Sequence, residues 1–182
     1  MATLFHNKYR IETARYYNSD YNNGLFFVTF CTKNREHFLG EIINQEMHLS
    51  EIGKYTLKTI NEVNIWHPYC FVDTFVIMPN HVHVLFYVIH ETSNDENNAY
   101  ESMKNIAVNQ YMQEISNRKG KLSVAVGAIK STIKRYANEN DLPLEWQTRF
   151  HDHIIRNAKE YNYIFQYIEN NVINWKSDCF WD

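Results

Sequence analysis

The stretch that most constrains this chain is "VIMPNHVHVLFYV", residues 76–88. Successive side chains of a strand point to opposite faces. After Asn80 this places Val82, Val84, Phe86 and Val88 on one face and His81 and His83 on the other. A uniformly apolar face has to be covered by a second layer, so it is the core side. The residues just before, "YCFVDTFVI" (69–77), read as another strand. "MPN" between them is a short turn in which proline ends the ladder. The two strands are expected to pair as an antiparallel hairpin that sets two imidazoles side by side, away from the main apolar layer.

The remaining elements fit around that hairpin. "LFFVTFCT" (25–32) is a strand of β-branched and aromatic residues that follows the turn-like "NSDYNNG". "LSEIGKYTLKTINEVNIW" places Ile52, Tyr55, Ile60 and Val63 at helical spacing, with Ser50 as N-cap. "HETSNDENNAYES" is a polar, Asn-rich surface loop or insertion, and a helix is expected around 103–115. In "LSVAVGAIKSTIKRYANEN", Leu122, Val126, Ile129, Ile133 and Tyr136 recur at helical spacing, with Ser123 as the expected cap. "RFHDHIIR" reads as a short strand. The last helix, in "NAKEYNYIFQYIENNVINW", opens on a capping-box-like Asn157 and Glu160. The order β-α-β-β-α-α-β-α points to an α+β fold, one antiparallel sheet with helices packed on it.

A chain of 182 residues with 45% hydrophobic residues can bury one sizeable core and is read as one domain, 1–182. Cys31, Cys70 and Cys179 are odd in number and far apart, which fits a reducing compartment rather than a disulfide framework. No apolar run reaches transmembrane length, and the first residues lack a signal peptide's apolar core. The expected location is the cytoplasm, with no membrane partner. The net charge of -3 excludes nothing, but its distribution is uneven. Between 91 and 101 the charges are all acidic, whereas Arg118, Lys119, Lys121, Lys130, Lys134 and Arg135 are all basic. Such a stripe is compatible with polyanion binding, and equally with a solvated helix face.

Two imidazoles on one strand face can hold one metal ion, but in a chain with nine histidines an H-x-H pair is a weak signal. A second pair, His151 and His153, lies in "HDHIIR". A barrel metallohydrolase needs about 250 residues, and a structural zinc site needs Cys or His at short spacing, which the cysteines do not supply. The last helix offers a partner. Its packing stripe is Tyr161, Ile164, Phe165, Ile168 and Val172; Tyr163 and Tyr167 fall outside it, and Tyr167 sits one turn before Asn171. With 13 tyrosines in the chain, a surface or interface tyrosine explains this better than a reactive one on spacing alone. If Tyr167 faces the histidines, a bound cation would stabilise its phenolate and polarise a phosphodiester at once.

At this point the chain resembles a known family. "FVIMPNHVHVL" is similar to the signature of the HUH single-tyrosine transposases, in particular the REP-associated tyrosine transposases. "FFVTFCTKNREHFLGEI" (26–42), "LSEIGK" (49–54), "AIKSTIKRYANE" (128–139) and "WQTRFHDHIIRNAKEYNYIFQYIENN" (146–171) look like family blocks in family order. Only the stretch around 89–121 departs, as a family-variable insertion. The resemblance implies a ferredoxin-like α+β domain with the HUH pair on a central strand. It implies His81, His83 and Asn171 as ligands of Mg²⁺ or Mn²⁺, and Tyr167 as the nucleophile. The substrate it implies is single-stranded, hairpin-forming DNA, cut through a 5′-phosphotyrosine link that leaves a 3′-hydroxyl. Lys130, Lys134 and Arg135 then read as phosphate contacts, Trp146 as a stacking residue, and His153 and Arg156 as further DNA contacts. A homodimer is compatible, because cutting both ends of an element takes two nucleophiles. The alternatives are a domesticated hairpin-binding protein and a replication-initiator or relaxase-like nicking enzyme. Where many members read "NNPxKW", this chain reads "NNVINW", which would allow a longer last helix.

Overall fold

The computed structural model describes residues 24–89 and 120–181, with two short paired strands, β1 (Leu4–Phe5) and β2 (Tyr9–Arg10). The expected helix at 103–115 and the insertion lie outside these residues. Four strands form one antiparallel sheet: β3 (Gly24–Cys31), β6 (Cys70–Ile77), β7 (His81–Val88) and β8 (His151–Ile155). Their order across the sheet is β6-β7-β3-β8, with β3 and β7 in the centre. Taken in chain order these are the second, third, first and fourth strands, the ferredoxin-like arrangement.

The sheet is covered on both faces. On one, Phe26, Val28, Phe30, Val82, Val84, Phe86 and Val88 pack under α1 (Glu51–Asn61) and α3 (Lys121–Glu139), and every one of them is fully buried. The helices contribute Ile52 and Ile60 from α1, and Leu122, Val126, Ile129 and Ile133 from α3, at the spacing expected of an amphipathic stripe. On the other face a smaller cluster joins Leu85 and Ile155 to Ile164 and Ile168 of α4 (Ala158–Glu169). α4 therefore lies on the histidine side of the sheet.

Local chemistry sets the element ends. The Ser50 hydroxyl accepts the Gly53 N–H at 3.0 Å, as a helix cap should, and donates to the Phe38 carbonyl at 2.7 Å. The α1 run breaks at Glu62, and α2 (Val63–Trp66) continues it as one further turn. Asn157 caps α4 by accepting the Glu160 N–H, while the Glu160 carboxylate accepts the N–H of Arg156, one residue before the cap. Ser123 does not cap α3: that helix begins at Lys121, one turn earlier, after Gly120 at φ 79°, so Ser123 already lies inside it. Nor does the missing proline lengthen α4, which ends at Glu169 and passes through turns into a 3-10 turn at Trp175–Ser177. A hairpin that was not expected, β4 (Gly40–Ile43) with β5 (Glu46–Leu49), turns through Asn44 and Gln45, both at positive φ. That turn type normally advertises itself by glycine, and here it has none.

Candidate active site

The sheet register builds the site from below. His83 lies between Val76 on β6 and Thr29 on β3, and Thr29 pairs in turn with His151 on β8. His81 lies opposite Cys31 at the end of the same face. Both rings are shut off from solvent, at 0% and 1% exposure, where sequence reasoning left room for partly exposed rings. Phe27 stacks on His83 at 5.1 Å, and Phe180 and Trp175 lie 4.4 and 5.9 Å from His81.

Their hydrogen bonds fix the protons. Asn80 Oδ1 can only accept, so His81 Nδ1 donates to it at 2.8 Å, and the Asn80 amide in turn donates to the Phe180 carbonyl. His81 Nε2 is then a bare lone pair, 3.0 Å from His83 Nε2. A proton must sit between the two nitrogens, carried by His83, while the Thr29 hydroxyl serves His83 Nδ1 at 2.7 Å. That shared proton occupies the position where a cation would bind both nitrogens. Burial pushes His83 down to about 4 and His81 well below the usual imidazole range, so both rings are neutral at neutral pH.

From above come Tyr167, Asn171 and Asp178. The Tyr167 hydroxyl is 3.2 Å from His83 Nε2 and donates to Asp178 Oδ2 at 3.2 Å. Asn171 is 2% exposed; its amide donates to the same Asp178 oxygen, and its own Oδ1 is buried with no hydrogen-bond partner among the described residues. A buried carbonyl oxygen without a partner is a group that a cation would satisfy. The ligand atoms of His81, His83 and Asp178 all lie within 4.8 Å of one another, so the donor set fits a divalent ion. Burial first and Asp178 second push the Tyr167 phenol far above its ordinary range. Arg35, held at φ 59° after Asn34 at φ 55°, sets its guanidinium 5.9 Å from the Phe180 ring.

The structure thus brings Tyr167, His81, His83 and Asn171 to one place. It does not bring the other candidates there. Lys130 Nζ donates to the Gln147 and Arg149 carbonyls, and Lys134 Nζ to the Leu144 carbonyl and Glu145, so both pin the 142–149 segment. Trp146 donates to the Lys130 carbonyl and packs edge-on against Phe30. His153 is 2.6 Å from Glu160, and Arg135 and Arg156 are exposed. Asp178, Asn80 and Thr29 were not expected. Asn80 stands in the quoted motif and could have been noticed, whereas nothing in "KSDCFWD" marks Asp178.

No family model matches the chain. A Haemophilus influenzae protein, described as uncharacterized, is 31% identical over 175 residues, covering 95% of this chain and 92% of its own. Among solved structures, a REP-associated tyrosine transposase bound to a REP hairpin is 18% identical and superposes with a TM-score of 0.54, covering 90% of this chain and 74% of its own. At that identity the likeness is one of fold. A candidate transposase of Deinococcus radiodurans, 13% identical over 88% of this chain and 97% of its own, reaches a TM-score of only 0.40 and carries no weight.

Proposed function

We propose that this chain, which belongs to the family of the Haemophilus influenzae protein and has the fold of a REP-associated tyrosine transposase, is a metal-dependent single-stranded DNA endonuclease and strand transferase. The observation that carries the reading is the Tyr167 hydroxyl 3.2 Å from His83 Nε2, over a buried pair of imidazoles with a carboxylate beside it.

His81 and His83 would hold a divalent ion, Mg²⁺ or Mn²⁺, with the buried Asn171 Oδ1 and the Asp178 carboxylate as further protein ligands. Two nitrogens with two oxygens suit Mn²⁺ better than Mg²⁺. When bound, the ion supplies Lewis acidity to the scissile phosphate and lowers the cost of phenolate. Tyr167 Oη attacks phosphorus, its proton passing to Asp178, to which it already donates. One O–P bond forms and the bond to the 3′ oxygen breaks, that oxygen taking up the proton held by Asp178, so a 5′-phosphotyrosine replaces a phosphodiester and a 3′-hydroxyl is released. Because the ester is kept, the strand can be rejoined without ATP. Burial under Phe27, Phe180 and Trp175 keeps water from competing with that hydroxyl.

The substrate is DNA that folds into hairpins beside unpaired flanks, and the protein acts in the cytoplasm as one HUH domain over residues 1–182, alone or as a homodimer. The test uses labelled single-stranded hairpin DNA with Mn²⁺ on a denaturing gel. A covalent adduct that disappears in Tyr167→Phe and with chelator is the expected result. Tight binding with no adduct would instead mark a hairpin-binding protein that does not cut.

A further inference from the structure

A groove of about 350 Å³ leads to Tyr167 along the C-terminal half of α4. Its walls carry Tyr163, Gln166, Asn170 and Asn174, and it ends on Tyr167 and Asp178. The histidines below are closed to solvent, so a substrate approaching the half-buried Tyr167 along α4 has to lie in this groove. We infer that the groove is a binding site for the bases of unpaired nucleotides next to the scissile phosphate, and that it selects where the strand is cut.

The chemistry of the walls argues for bases rather than for backbone. Among the described residues no lysine or arginine lines the groove, and the one charge they place in it is the Asp178 carboxylate, which repels phosphate. Phosphate binding requires cations or converging backbone N–H groups. Amides, by contrast, present a donor and an acceptor together, the pattern that matches the edge of a base. Gln166 on the last turn of α4, Asn170 at its cap and Asn174 in the turns beyond follow one another at four-residue spacing, beside Tyr163 and Tyr167, which stand one above the other on α4. Asn170 uses one amide proton on the Gln166 carbonyl at 2.7 Å, which fixes the side chain and leaves its Oδ1 as an acceptor. Tyr163 is 71% exposed, one turn before the nucleophile. A largely exposed aromatic ring at the wall of a polar groove is a stacking platform for an unpaired base. The volume lies at the lower end of the about 300–1,000 Å³ typical of small-ligand sites, room for one or two nucleotides.

This site deepens the strand-transfer reading of Tyr167 and rests on it for its placement beside the cut, but it is tested by binding alone. The full-length protein, with Mn²⁺, is put through in vitro selection on a single-stranded DNA library randomised at its central positions. The same selection is run on Tyr163→Ala and on Gln166→Ala/Asn170→Ala; all three positions are exposed, and melting temperatures establish that the variants fold. The wild type is expected to enrich a short base motif, and the variants to lose its enrichment by about tenfold or more, with or without a loss of overall binding. A motif that survives in both variants, or a wild type that enriches none, overturns the inference. The two readings fail separately. A motif lost in the variants from a protein that makes no adduct keeps the base site and ends the strand-transfer reading. An adduct on Tyr167 with a motif indifferent to the groove does the reverse.

Discussion

Asn80 holds two things at once: the Nδ1 proton of His81 and the carbonyl of Phe180. Asn80→Ala removes both and leaves buried groups without partners, so a loss of about 1–3 kcal/mol in stability is expected by urea unfolding. It also frees the tautomer of His81, and Mn²⁺ affinity measured by titration calorimetry should fall by about 10–100-fold. Thr29→Val separates the two effects. It keeps the shape of a 5% exposed side chain but removes the hydroxyl that serves His83 Nδ1, so affinity for the ion should fall with a smaller change in stability. Unchanged Mn²⁺ affinity in both variants would mean the ion does not use the histidine pair. At this scale the sequence was half legible. Strand alternation alone put His81 and His83 on one face and Val82 and Val84 on the other. It could not say that the rings are sealed, because the seal comes from Phe180 and Trp175, roughly a hundred residues away along the chain. Asp178 was invisible for the same reason: an aspartate in a tail without periodicity acquires a role only from what folds against it.

α1 is locked to the loop before it by a helix cap and a close approach. Ser50 caps the helix and ties it to Phe38, so Ser50→Ala should cost about 1 kcal/mol, within the usual range for an N-cap. Gly53 is there for space: a Cβ at that position would stand 2.0 Å from the Leu39 carbonyl oxygen. Gly53→Ala should therefore destabilise by more than the cap variant, although alanine is the better helix former; equal or higher stability would show that the helix can slide away from β4. Elements with strong local signals were readable, among them the α1 cap, the apolar stripe of α3 and the Asn157 start of α4. The β4–β5 hairpin was not, because Asn44 and Gln45 adopt positive φ without the glycine that usually reveals such a turn. Ser123 misled because a serine near the start of a periodic run resembles a cap wherever the helix begins.

The three layers divide the labour of the whole molecule. α1 and α3 bury one face of the sheet and make it rigid, while α4 covers the other only in part and carries Tyr167 to the histidines. Burying neutral imidazoles has a consequence for stability. Below about pH 6.5 the unfolded chain takes up protons on these rings, and the folded chain does not until about pH 4 at His83. Stability is therefore full above pH 6.5 and is lost as the pH falls from there towards 4, by about 2 kcal/mol at pH 5 from His83 alone. His81 shifts in the same direction and adds to the loss. Urea midpoints at pH 7 and pH 5 check this, and no decrease at pH 5 would contradict it. Saturating Mn²⁺ should raise the pH 7 midpoint, by about 2.7 kcal/mol at a hundredfold excess over Kd. The ferredoxin-like order of the main sheet was expected from the family blocks, and the four strands appear in that order. Among the described residues no helix is long and apolar enough to cross a membrane.

The central claim is that Tyr167 reacts with DNA while a metal ion sits on His81 and His83. It is tested most directly by mass-spectrometric mapping of the protein after incubation with single-stranded hairpin DNA and Mn²⁺, followed by nuclease digestion. A phosphonucleotide on Tyr167 is expected, absent with chelator and absent from a His81→Ala/His83→Ala variant. A modification on Tyr163, or on Tyr167 irrespective of metal, would contradict it.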